Sequence, residues 1–237
     1  MPFSHDIRRM LLARAEEDVR RWCCPREERV DRGRHPDTHW LAVFSGQVEE
    51  NDARLFLSTF QLTQFVAWDR AGVAEAIMAI HAADAFDPCV DIPQRADTLP
   101  ISRGQRRQYS SAASKIATFA RPRDEIYIWD RLASKAARHR DWVRNGGVGA
   151  KYLGRLYGAD GRHDYPAFWR ACDQARQEER GKTDFQQVRD RLIADFRQGA
   201  GGDVMADPVG VPDSFIERRL LDKLMFWEGT LLESRPI

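Results

Sequence analysis

Lys115 and Asp130 are the residues of this chain whose types and spacing point most directly to covalent chemistry. The carboxylate lies fifteen positions after the amine. Lys115 lies in Ser111-Ala112-Ala113-Ser114-Lys115-Ile116-Ala117, which reads as a helix N-terminus with a serine cap. Small residues there let another backbone or a phosphate approach the exposed N–H groups. Asp130 follows Ile126-Tyr127-Ile128-Trp129, a short extended piece, and precedes a helix over Arg131–Arg140, where it is placed to act as N-cap. A neutral lysine amine attacks an electrophilic carbon and forms an imine once burial or a cationic neighbour has lowered its pKa. Ala112, Ala113, Ile116 and Phe119 supply an apolar setting for that. A carboxylate opposite stabilises the positive charge that develops at the carbon under attack. Pro122 ends the first helix, and a hairpin-like excursion then brings Asp130 back towards Lys115, so that both face one cleft.

A rival arrangement follows. Gly147-Val148-Gly149-Ala150-Lys151 is a better glycine-rich hairpin, with Asp164 thirteen residues after Lys151. It lacks the Ile-aromatic-Asp step, so Lys115 is preferred as nucleophile, and the Gly146–Gly149 turn remains a candidate phosphate contact. His35 and His39 are four apart, but Pro36 and Asp37 between them argue for a loop and against a metal site. The expectation is that no metal and no cofactor is used. The four cysteines (Cys23, Cys24, Cys89 and Cys172) form no C-x-x-C pair and read as reduced structural thiols.

The order small-small-Ser-Lys-aliphatic-Ala, then Pro, then Ile-aromatic-Asp-Arg resembles the active-site segment of the helix-hairpin-helix DNA glycosylase superfamily. It is most similar to the 8-oxoguanine-DNA-glycosylase-like branch and its bacterial relatives, some of which occur in phage-defence loci. Asp164-Tyr165-Pro166-Ala167-Phe168 and Arg219…Asp222-Lys223…Trp227 resemble segments of those bacterial relatives too. The resemblance runs from Ser110 to the C-terminus with a gap across the glycine-rich stretch. It implies an all-α, bilobed helical fold with a central cleft. It also implies excision of a damaged or modified base from DNA, with or without cleavage of the abasic strand. Lys115 would attack the sugar and Asp130 would stabilise the oxocarbenium-like charge. An extruded base needs aromatic walls, for which Trp129, Tyr127 and Trp68 are candidates. Ser111, Ser114, Arg103, Arg106, Arg107, Arg131, Gly147, Gly149 and Lys151 are candidates for DNA contact, with duplex DNA as partner. The family's hairpin glycines, two and four residues before its lysine, are replaced here by Ala113 and Ser111, which weakens close backbone approach to a phosphate. A non-catalytic nucleic-acid or nucleotide-binding module on the same fold is the alternative.

The elements that position these residues are helical almost throughout. Ser4 caps a helix carrying Ile7, Leu11, Ala15, Val19 and Trp22 on one stripe. An Arg-rich loop follows through Pro36, and Trp40–Phe44 reads as a short extended piece. Helices are expected over Asp52–Trp68 and Ala71–Ala83, then a proline-rich connector from Phe86 to Ser102. Asp164 with Pro166 opens a helix through about Glu179, Thr183 caps Asp184–Gln198, and a linker at 199–212 precedes a last helix over Ser214–Trp227. Residues 1–100 and 101–237 are expected to form two parts of one compact, monomeric unit.

The net charge of +1 is unevenly spread. Eleven basic and four acidic residues fall between Ile101 and Arg144, a local +7 against −6 elsewhere. Such a patch on a near-neutral protein suits a polyanion docking on one face. The apolar runs are too short to span a membrane and no signal-peptide pattern leads the chain, so the expected location is cytoplasmic. The absence of a phosphate-loop or dinucleotide fingerprint argues against a nucleotide-dependent enzyme.

Overall fold

In the computed structural model, residues 3–23, 35–63, 66–103, 108–147, 162–199 and 211–234 are described. The fold is helical: α1 (His5–Cys23), α2 (Asp37–Ser45), α3 (Glu50–Thr59), α4 (Arg70–His81), α5 (Pro88–Thr98), α6 (Ser110–Ala120), α7 (Arg131–Arg144), α8 (Tyr165–Arg180), α9 (Thr183–Gly199) and α10 (Asp213–Ser234). One antiparallel pair, β1 (Ala67–Trp68) with β2 (Ile101–Arg103), is the sheet among the described residues.

The local chemistry explains most boundaries. Asp164 accepts from Ala167 N–H at 2.9 Å and caps α8, with Pro166 in its first turn. Asp69 caps α4 in the same way, accepting from Gly72 N–H at 3.2 Å. Three expectations need correcting. Trp40–Phe44 is helical, because Trp40, Leu41 and Phe44 share the buried face of α2. The helix expected over Asp52–Trp68 stops at Thr59: Gln61 adopts φ 55°, and the chain turns into β1. The connector from Phe86 to Ser102 contains α5, capped by Asp87, with Pro88 at its start and Pro100 beyond its end.

The helices pack in two groups. α2, α3, α4, α5 and α6 surround one another, while α1, α7, α8, α9 and α10 form the second set around α10. α5 meets α8 and α1 meets α2 where the groups join. Helix α1 thus packs with the C-terminal helices, and α6 with the N-terminal ones, across the boundary expected near residue 100. Buried side chains of both groups form one continuous core that includes Trp40, Phe56, Phe119, Trp129, Phe168, Phe215 and Leu224. Among the described residues no helix is long and apolar enough to cross a membrane.

Candidate active site

Lys115 lies on α6, in the first group, and Asp130 begins α7, in the second. A single hydrogen bond registers them. Ser114 Oγ accepts from the Trp129 backbone N–H at 2.9 Å, so the residues immediately before Lys115 and Asp130 are tied directly. Ser114 is fully buried and also donates to the Ser111 carbonyl at 3.3 Å. It is therefore not a DNA contact, as the sequence had suggested, and it does not cap α6. That helix begins at Ser110 behind Tyr109, without a side-chain cap.

Asp130 is the N-cap of α7. Its Oδ1 accepts from Leu132 N–H and Ala133 N–H, both at 2.7 Å, which fixes the carboxylate at the helix start. Lys115 is half-buried. Among the described residues it has neither an ion-pair nor a hydrogen-bond partner, and the Phe60 ring lies 5.8 Å from its Nζ. Burial pushes the amine down from its ordinary range. Asp130 and Asp222 oppose that shift, while Lys223 and Arg219 add to it. This is the direction a lysine nucleophile needs.

Sequence reasoning left Asp222 without a role. It lies on α10, and burial pushes its carboxyl up, against the pull of Arg219, Lys223 and Lys115, with Asp130 adding to the rise. Arg219 Nη1 donates to Asp222 Oδ2 at 2.7 Å, and Arg219 Nε donates to Asp37 Oδ2 at 2.7 Å. The Cys23 thiol donates to that same Asp37 oxygen at 2.9 Å. The Arg219 guanidinium lies 5.9 Å from the Phe119 ring, and Phe119 packs at 5.3 Å on Phe60, the neighbour of Lys115. A signal for this cluster existed in the sequence. Arg219, Asp222 and Lys223 lie in α10 among the apolar Phe215, Ile216, Leu220, Leu221, Leu224 and Met225, as do the buried Glu217, Arg218 and Glu228.

The expected base-stacking walls are core side chains. Trp129 is 2% exposed and packs on His163, Tyr165 and Phe168. Tyr127 is buried and donates through its hydroxyl to Asp173 at 3.1 Å. Trp68 is buried against Tyr109 and donates to the Leu62 carbonyl at 2.8 Å. Phe60 and Phe119 are the rings the structure brings next to Lys115 and Arg219 instead.

Five of the eleven basic residues of the window are paired with carboxylates of the protein. Arg131 and Lys135 pair with Glu233, Arg140 with Glu179 and Glu228, Arg121 with Asp124, and Arg144 with Asp141 and Glu178. Arg103 is exposed on β2, and Ser111 is half-buried on α6. Gly146 and Gly147 take φ of 76° and 67°, the left-handed turn that ends α7, with Gly147 N–H donating to the Trp142 carbonyl at 2.9 Å. Arg106, Arg107, Gly149 and Lys151 lie outside the described residues.

Comparison with known protein families, with curated proteins and with solved structures gives no match to this chain.

Proposed function

We propose that this protein is a DNA glycosylase that removes a damaged or modified base, with Lys115 as amine nucleophile and Asp130 as the carboxylate that stabilises the developing sugar cation. The imine formed by Lys115 gives it abasic-strand lyase activity. One arrangement carries the reading: half-buried Lys115, without an ion-pair or hydrogen-bond partner among the described residues, is pushed towards its neutral form, and the helix-capping carboxylate of Asp130 acts on it electrostatically. The resemblance of the Ser110–Arg138 segment to helix-hairpin-helix glycosylases supports the same chemistry. The packing of the helices in two groups, with Lys115 on one and Asp130 on the other, is compatible with it. DNA contact then depends less on the basic window than its charge suggested, since five of its eleven basic side chains are already paired.

Borohydride trapping on duplex DNA tests this. A covalent adduct at an abasic site is expected with the wild type and with Lys151→Gln, and none with Lys115→Gln. Absence of an adduct, together with no base release from damaged or modified duplexes, overturns the reading. Salt-sensitive DNA binding that survives Lys115→Gln without any base release would instead make the protein a binding module.

A further inference from the structure

Phe60 follows the last residue of α3, and Lys115 Nζ lies over its ring face, 5.8 Å from the ring centre. The local backbone puts it there. Gln61 takes φ 55°, Gln61 N–H donates to the Ser58 carbonyl at 3.0 Å, and Leu62 N–H donates to the Leu57 carbonyl at 2.8 Å. This left-handed turn closes the helix directly at Phe60. Two fully buried rings then hold the Phe60 ring, Phe56 at 4.7 Å and Phe119 at 5.3 Å. Phe60 and Lys115 are themselves half-buried, so neither is closed to a ligand from outside. A carbon that bonds to Lys115 Nζ therefore arrives over an aromatic face already in position.

We propose that Phe60 is a contact residue for the reacting sugar, its π face stabilising the positive charge that develops on C1′ and passes to the Lys115 nitrogen. This rests on the glycosylase reading. The Lys115 lone pair forms the N–C1′ bond as the bond to the base breaks, and that bonding pair leaves with the base. An N–H proton then passes to O4′ as the C1′–O4′ bond opens, and a protonated imine remains on Lys115. Throughout, the cation sits at or next to the atom that lies over the ring. The face of an aromatic ring is the negative part of its quadrupole and attracts a cation within about 6 Å of its centre. A neutral amine gains little from that face, so the ring acts on the charge that the reaction creates.

The ring can be tested apart from the other groups at the site. Asp130 from α7, and Asp222, Lys223 and Arg219 from α10, also bear on the Lys115 amine. Fluorine on the Phe60 ring weakens its negative face while keeping its apolar shape and leaving those charges in place.

The test follows borohydride-trapped adduct on a duplex with an abasic site, using the full chain with Phe60 replaced by a monofluorinated and by a trifluorinated phenylalanine. Where the rate has levelled off at high pH, it is expected to fall with added fluorine, reaching about 3- to 30-fold below wild type for the trifluorinated ring. At lower pH the loss should shrink, because the same face then also holds the Lys115 ammonium that must first give up its proton. A trifluorinated chain within about twofold of the wild-type rate at the plateau overturns the proposal and leaves the glycosylase reading intact. A loss of equal size at every pH also overturns it, in favour of simple packing against the nucleotide. No adduct with the wild type removes the glycosylase reading and this proposal together.

Discussion

Among the buried polar clusters of helix α10, the one at Glu228 and the one at Asp222 are built on opposite principles. At the first, Arg140 donates to both oxygens of Glu228, at 2.8 and 2.6 Å, and to Glu179 at 2.9 Å. Lys182 and Arg8 complete Glu179, so each oxygen of both carboxylates has a donor. At the second, Asp222 has one bare oxygen and Lys115 has no partner. Both clusters pay for desolvation, but only the first recovers it through matched charges. A buried network in which every charge is matched joins α1, α7, α8 and α10. At Asp222 one buried carboxylate oxygen is left without a partner.

That contrast breaks most sharply at Glu179. Glu179→Ala takes one carboxylate from Arg140, which keeps Glu228, and one from Arg8, which keeps Asp184, and is expected to cost about 2–4 kcal/mol, read as a melting temperature lower by roughly 5–10 °C. Burial alone would raise the Glu179 carboxyl, but Arg140, Arg8 and Lys182 outweigh it and hold it down to about 2. A carboxyl depressed in the folded state stabilises above its unfolded pKa of about 4.3 and loses that contribution as pH falls towards about 2. Acid unfolding of the wild type should steepen in that window, and Glu179→Ala should flatten it. An unchanged acid limb would mean the network is not what joins these helices.

A second test acts on the frame between the clusters. A Cβ on Gly229 would lie 2.1 Å from the Leu132 carbonyl oxygen, at the first turn of α7. Backbone cannot yield there as a side-chain end would. Gly229→Ala is expected to cost about 1–3 kcal/mol in chemical denaturation and to lower adduct formation, because Asp130 caps the turn that must move. A stable variant with full activity would show that α7 shifts without consequence.

The smallest effect should have the opposite sign. Lys115→Met removes a half-buried amine that makes no ion pair among the described residues, and is expected to gain roughly 0.5–1 kcal/mol while abolishing the adduct. The gain should grow as pH falls, because acid charges an amine whose folded-state pKa is depressed and so makes wild-type burial costlier. Loss of stability on a par with Glu179→Ala would place Lys115 with the structural network.

The sequence made the helical class and several boundaries legible because they rest on local rules. Asp130, Asp164 and Ser4 lie at helix starts, where a side-chain oxygen can reach an early N–H. It misled where local signals carry two meanings. Pro88 and Pro100 suggested a connector, yet they are boundary prolines of α5, and only Pro93 lies inside it. Trp40–Phe44 is too short for its period to separate strand from helix. Ser114 looked like a surface hydroxyl, because nothing local reveals a bond to Trp129. Asp222 could not be placed, since only the folded chain sets its partner Arg219 against Asp37, 182 residues away.

The bond between Ser114 and Trp129 also changes what the spacing of Lys115 and Asp130 means. Chain length between two points is a poor ruler when the path loops out and returns, and the entropy of closing such a loop depends only weakly on its length. Here the measure is taken across the gap, by one hydroxyl and one amide, each a single residue ahead of the group it sets. The count of fifteen is therefore incidental. A chain with a longer or shorter excursion around exposed Arg123 would hold the same two groups at the same offset, and its kinship in design would be visible in that pairing and hidden in the count.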